Sequence, residues 1–409
     1  ALKNQGKLDE AISALGKALS LKPDNAEVLN SLGVALKEQG KLNEPIEAYK
    51  KALSIKPDYL DAYYNLGIAL SEQGKFTAAI NTYNAALSIK PDYVKAHEGL
   101  SFAFLNIGRL EEGLNEYEWR WKNSTNLSRK RQFSQPLWDG QKRLKGKTIL
   151  LWCEQGVGDT IRWSSCLSLI SSLAQKCILE CPQKLVPLLT RSFPNIEIRP
   201  EDRSQDRLRN EFDFHLPMGS LYRHFIPEIS ENIKHKAFLI PNTVRVNFWK
   251  EKLKSLGHGP YIGVSWRSSK LSLKRIPNYA PISDWLPVFK STEATFVNLQ
   301  YTDFVDDLTK IQSECGVKVH NFDDLDHFND LDDVASLCAA LDMVISTRIT
   351  VPIISAGVGT ITKLASWRQS PWNKLLLNPV GPSVEIYERD TWAPWNNLFQ
   401  TIAEDLARI

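Results

Sequence analysis

The sequence is poor in features that would settle its class quickly. Its six cysteines, Cys153, Cys166, Cys177, Cys181, Cys315 and Cys338, form no CxxC pair, which excludes the usual zinc and redox spacings. They stand mostly in apolar segments, where a thiol behaves as a small hydrophobe, and they read as free thiols of a reducing cytoplasm. No apolar run approaches the roughly 18 residues of a membrane span, and no stretch reads as a signal peptide. Charge of one sign is lacking too. The chain has 50 Lys and Arg against 47 Asp and Glu, a net +3, so no global field argues for nucleic acid or an anionic membrane as partner.

The chain does have a repeat. GKLDEAI at 6, GKLNEPI at 40, GKFTAAI at 74 and GRLEEGL at 108 fall 34 residues apart, with KPD in phase at 22, 56 and 90. A 34-residue period with helical apolar patterning in each half is the tetratricopeptide signature, two antiparallel helices that bury their faces only against stacked neighbours. The recurring glycines end each first helix, and Pro23, Pro57 and Pro91 punctuate the turns between repeats. Ala1 aligns with Ala35 and Ala69, midway along a first helix, so the chain reads as starting inside a repeat of a longer solenoid. Such a surface either holds extended peptide or braces the next domain.

Beyond a polar connector, residues 123–146, short apolar runs alternate with helical stretches. TILLW, KCILEC, IEIRP and FDFHL read as strands; TIRWSSCLSLISSL and QKLVPLLTRSF read as helices. A second set runs through YIGVSW, TFVNLQ, VKVHNF, DMVIST and TKLASW. Alternation of this kind predicts two parallel sheets covered by helices, with a cleft between them. The boundaries follow: repeats 1–122, a first sheet domain 147–245, a second 246–393, and a final helix within 394–409 that packs back on the first sheet domain.

Chemistry is expected at the corner EQGVGDTIR, where the first strand runs into a helix. Gly156 and Gly158 let the backbone approach a ligand, and Glu154 and Gln155 stand just before them. GVG lacks the third glycine of a dinucleotide fingerprint and no P-loop lysine follows, which disfavours a nucleotide-dependent oxidoreductase. Asp159 is open to two roles, a cap of the helix start or a catalytic base. His215, at the end of the strand FDFHL, is either a second proton acceptor or a histidine satisfied by backbone.

EQGVGDTIRW, FDFHLPMGSL, YIGVSWRSS, FVNLQY and DLDDVASLCAALDMVIS, taken in this order, resemble the catalytic region of bacterial tetratricopeptide-linked glycosyltransferases, distantly similar to heptosyltransferases and O-GlcNAc transferases. The resemblance covers essentially the whole chain. It implies a helical solenoid followed by a GT-B fold of two Rossmann-like domains, the first handling the acceptor and the second a nucleotide-sugar donor. Transfer would be inverting, with no metal and no cofactor beyond that co-substrate. Asp159 takes the place of the general base. The acceptor would be a hydroxyl, Ser or Thr of a protein held by the repeats.

The departing nucleotide diphosphate calls for cations or helix N-termini. The resemblance points to Arg267 and Arg275 in SWRSSKLSLKRIPNY, with Lys274 beside them and Lys270 read as a solvated charge. Thr347, Arg348 and Thr350 at a helix start form a second diphosphate cradle. Relatives carry an Asp–Thr pair and a His four residues later; this chain has Arg348, Ile349 and Ile353 there, so a decayed, non-catalytic scaffold is the alternative. Asp324 and Asp326 form a DxD, read as an acidic loop favoured at a helix start rather than a metal site. Trp367, Trp372, Trp392 and Trp395 cluster late and read as core.

Overall fold

The computed structural model describes residues 8–41, 43–123, 129–204, 206–231, 237–268, 279–367, 383–389 and 393–408. They divide into two compact units, one ending at Lys130 and the other beginning at Arg131.

The first unit is all helical: α1 (Leu8–Leu21), α2 (Ala26–Glu38), α3 (Glu44–Ile55), α4 (Leu60–Glu72), α5 (Phe76–Ile89), α6 (Val94–Asn106) and α7 (Leu110–Tyr117). Helices α2, α4 and α6 start at residues 26, 60 and 94, in step with the sequence period. Each ends on a glycine in left-handed conformation, Gly40, Gly74 and Gly108 with φ of 85°, 73° and 83°, which lets the chain reverse into the next helix without a Cβ clash. The interior alternates very small with very large side chains. Ala52, Ala62, Ala86 and Ala96 are fully buried beside Tyr49 and Tyr83, so neighbouring helices interdigitate. Gly67 of α4 and Gly99 of α6 are equally tight, a Cβ at either lying 2.4 Å from the Tyr83 ring of α5.

The second unit holds two sheets. The first comprises β1 (Thr148–Trp152), β2 (Lys176–Cys181), β3 (Glu197–Pro200) and β4 (Phe214–Pro217) in the order β3-β2-β1-β4, every pair parallel. The second comprises β5 (Tyr261–Ser265), β6 (Thr295–Asn298), β7 (Val319–His320), β8 (Met343–Thr347), β9 (Ile361–Trp367) and β10 (Val384–Arg389). Its order is β10-β9-β8-β5-β6-β7, again parallel throughout. Parallel strands need crossovers: α8 (Val157–Ser164), α9 (Leu167–Leu173) and α10 (Val186–Ser192) serve the first sheet, α11 (Thr243–Lys254) leads from the first sheet to the second, and α12 (Ile282–Lys290), α13 (Val305–Cys315), α14 (Leu331–Ala340) and α15 (Thr350–Gly357) serve the second. The helix anticipated over TIRWSSCLSLISSL is two helices, broken at Ser165 and Cys166, and β10 was not anticipated.

Two further expectations change. The last helix, α16 (Asn396–Leu406), packs on the second sheet and not on the first. Its apolar stripe, Leu398, Phe399, Ile402 and Leu406, enters the cluster around Trp285, with the Phe399 and Trp285 rings 4.4 Å apart. The connector is also less detached than its polarity suggested: Leu137 bridges to His215, and Phe133 covers Leu150, Ile178 and Phe212 on one face of the first sheet. Arg131 anchors it. That guanidinium is wholly buried and paired with Glu180 and Asp206, while Arg199 and Arg209 also reach Glu180, at 3.0 and 2.6 Å.

Gly67→Ala is expected to lower the stability of the repeats by about 1–3 kcal/mol through overpacking against Tyr83. Gly16→Ala, in α1 with nothing within 4 Å of the added Cβ, should instead raise it by about 1 kcal/mol through helix propensity. Chemical denaturation of the two variants checks the opposite signs.

Candidate functional site

The strand β1 ends at the buried Trp152, and the chain turns through Cys153, Glu154 and Gln155 into α8. Glu154 is buried, and its Oε1 accepts from the Gly219 N–H at 3.0 Å, tying this corner to the turn after β4. Its carboxylate is therefore used at least partly in joining two loops. Gly156 is the N-cap, extended at φ −70° and ψ 167°, and supplies no side-chain cap. It is exposed, and Asp159 Oδ2 lies 3.7 Å from a Cβ built there.

Asp159 lies in the first turn of α8, where the helix dipole favours its charge. Its side chain is 40% exposed and faces Arg162 one turn on, Oδ1 to Nη1 3.4 Å. Arg162 itself is largely buried, and its Nε has no hydrogen-bond partner. Gly158 does something other than admit a ligand. A Cβ there would sit 3.2 Å from Thr350 Oγ1 and 3.3 Å from Ile353 Cδ1, so the missing side chain lets α15 of the second sheet come up against α8 of the first.

That contact brings the β8 corner to the β1 corner. Arg348 sits between β8 and α15, and burial first, then the neighbouring Arg162, pull its guanidinium down to about 10, against the opposing pull of Asp159 and Tyr279. Thr347 is fully buried and donates its hydroxyl to the Trp266 carbonyl at 2.9 Å. It braces the end of β5 and does not face outward with Arg348. Thr350 opens α15 at the contact with Gly158.

Other candidates stand apart. His215, open to the two roles of proton acceptor or locally satisfied histidine, lies within β4, opposite Leu150 of β1, and is buried. Its Nδ1 accepts from Trp152 Nε1 at 3.2 Å and its ring packs 4.7 Å from that of Phe133, so alternation along the strand turns it under the connector. Arg267 is held by the Asp307 carboxylate and the Asp303 carbonyl. Lys270, Lys274, Arg275, Trp372 and Trp392 lie outside the described residues, as does the Trp367 side chain. Trp395 belongs to the second core. Asp324 pairs with Lys252 at 2.6 Å and Asp326 accepts from the Phe328 and Asn329 N–H groups, which accounts for the acidic loop.

Residues without an assigned role carry much of the second corner. Gln300 is completely buried; its Oε1 accepts from the Trp266 and Arg267 N–H groups at 3.1 and 3.0 Å, and its Nε2 donates to the Arg267 carbonyl at 2.9 Å. Asn298 accepts from the Gln300 N–H and donates to Asn321, both at 2.9 Å. The signal was present in FVNLQY, where two amides interrupt an apolar strand end; buried amides of that kind ordinarily organise backbone.

Comparison with known proteins adds the following. The TPR repeat family model matches residues 1–40, 35–74 and 69–108. Protein FlbA of Caulobacter vibrioides is 30% identical over 313 residues, 71% of this chain and 51% of FlbA, so the chain spans about half the length of that relative. An alignment of that extent reaches beyond the repeats into the α/β unit. Among solved structures, MamA is 28% identical over 31% of this chain and 75% of its own, with a TM-score of 0.29; the MamA AMB-1 structure is 26% identical over 31% and 72%, with a TM-score of 0.27. The family match and the helical unit show that the chain carries tetratricopeptide repeats, followed by an α/β region with parallel sheets. No helix among the described residues is long and apolar enough to cross a membrane.

Gln300→Leu is expected to cost about 2–4 kcal/mol, since it leaves two buried N–H groups without acceptors. Faster amide hydrogen exchange at Trp266 and Arg267 would locate the loss at the end of β5.

Proposed function

We propose that the α/β region is an inverting, metal-independent glycosyltransferase of GT-B architecture. It would move a sugar from a nucleotide-sugar donor to an acceptor hydroxyl, a Ser or Thr of a protein bound by the repeats. Support comes from the sequence resemblance and from a second sheet ordered 3-2-1-4-5-6 counting from β5, an order known for nucleotide binding. The carrying observation is the half-exposed Asp159 carboxylate beside the open Gly156 corner, free of any capping duty.

In this reading the acceptor oxygen attacks the anomeric carbon while its proton passes to an Asp159 oxygen. The bond from that carbon to the diphosphate breaks as the new one forms, and the configuration inverts. A positioned carboxylate contributes about 10²–10⁴-fold to such a step. Charge on the departing diphosphate falls to the start of α15 at Thr350 and to Lys274 and Arg275, to which the sequence resemblance points. Arg267 and Thr347, engaged by Asp307 and Trp266, take a supporting part.

The same two engagements, with Arg348 and Ile353 where relatives carry Asp and His, favour a second reading, a non-catalytic scaffold. Turnover of a nucleotide-sugar panel decides. Asp159→Asn should lower transfer about 10²–10⁴-fold with little change in donor affinity. Undiminished transfer removes Asp159 from the mechanism, and absence of saturable heat with every nucleoside diphosphate leaves the scaffold.

A further inference from the structure

The two oxygens of Asp159 have different surroundings. Oδ1 faces Arg162 Nη1 at 3.4 Å. Oδ2 lies on the side of the Gly156 corner, 3.7 Å from where a Cβ at 156 would stand, and makes no hydrogen bond with a described residue. The helix sets up the pair, because residues three apart share one face of α8. Arg162 is no loose surface side chain. It is 14% exposed, and its Nε is buried without a hydrogen-bond partner. Its carbonyl accepts from the hydroxyls of Ser165 and of the buried Tyr222, each at 2.8 Å, which ties this turn of the helix to the segment after β4.

Resting on the transferase reading of this site, we propose that Arg162 is a positioning residue that holds Oδ1 of Asp159 and so leaves Oδ2 as the oxygen receiving the acceptor proton. A carboxylate turns readily about its last bond, for which the preferences are broad, and that turn would exchange the two oxygens at the corner. A guanidinium on a packed stem has few rotamers left, so its contact with Oδ1 stops the exchange. The length of the contact matters as well. A cation close against a carboxylate favours the ionised form and weakens it as a base, and charge-assisted hydrogen bonds are strongest at about 2.7–2.9 Å. At 3.4 Å Arg162 orients the carboxylate with less of that loss. In the transfer step the acceptor O–H bond breaks as an Oδ2–H bond forms, and Arg162 keeps all its protons.

The test uses the full chain with Ser- and Thr-containing peptides as acceptors. Uridine diphosphate glucose, uridine diphosphate N-acetylglucosamine and guanosine diphosphate mannose are the donors, and release of the nucleoside diphosphate is measured. On the donor that the wild type turns over, Arg162→Met should lower kcat about 10–100-fold with donor KM little changed. Arg162→Lys, which restores a cationic donor, should recover much of the loss. In an Asp159→Asn background Arg162→Met should cost nothing further, because a residue acting through Asp159 then has nothing left to position. Thermal melts identify folded variants, with Arg162→Gln as the second neutral replacement. An unchanged kcat in a folded neutral variant, a loss carried by KM, no recovery with Lys, or losses that multiply in the double variant overturns the positioning role while the transferase reading stands. No release from any donor by the wild type removes that reading and the role with it.

Discussion

The contact at Gly158 is the constraint on which the candidate site depends. Two parallel sheets each end a strand in a tight turn and a helix, and the first corner brings Asp159 and Arg162 while the second brings Arg348 and Thr350. With any side chain at 158 the space now filled by Thr350 and Ile353 would be contested at 3.2–3.3 Å, closer than ordinary van der Waals contact. A backbone with no Cβ removes that conflict. It therefore brings Arg348 within electrostatic reach of Asp159 and Arg162.

The charge at this corner gains meaning from a second cluster in the same unit. Around Glu180, three guanidiniums, Arg131, Arg199 and Arg209, meet Asp206, Glu211 and Glu197 as well as Glu180 itself. Cations and carboxylates there are in rough balance, and Arg131 stays protonated although burial opposes it, because Asp206 and Glu180 hold it. That is how a structural ion network closes. At the α8–α15 corner the direction is reversed: burial and Arg162 depress Arg348, and Asp159 only partly offsets them. The first cluster fixes the connector to the first sheet, and at the second burial outweighs the carboxylate.

How much was legible in the sequence follows from which interactions have a period. The 34-residue repeat placed α2, α4 and α6 because every repeat meets the same neighbour, and apolar runs placed nine of the ten strands among the described residues because buried parallel strands are apolar on both faces. The corner EQGVGDTIR was visible for the same reason, as a break between two periodic patterns. What lacked a period was read less well. His215 was open to two roles, and its packing partner is Phe133, 82 positions earlier in a connector that seemed merely polar. The stripe of α16 declared an apolar face without declaring its receiver, and Trp285 took it. Gln300 and Arg162 stood inside quoted motifs, yet buried amides and arginines show their work only through partners distant in sequence.

The engagement of Thr347 and Arg267 shifts where a departing diphosphate would have to be met. Thr347 spends its hydroxyl on the Trp266 carbonyl, and Arg267 is committed to Asp307, which also accepts from Trp266 Nε1 at 2.8 Å. With Gln300 holding the Trp266 and Arg267 main chain, these groups make the end of β5 a rigid shelf rather than a charged one. A rigid shelf suits a site in which the reacting groups come from opposite sides, because preorganised geometry is effective only when neither side yields. On the proposed reading the carboxylate comes from one sheet, the leaving-group cradle from the other, and the shelf keeps the second in register with the first. Activity would then be a property of the joined α/β region, and neither half separated from the other would retain a partial site.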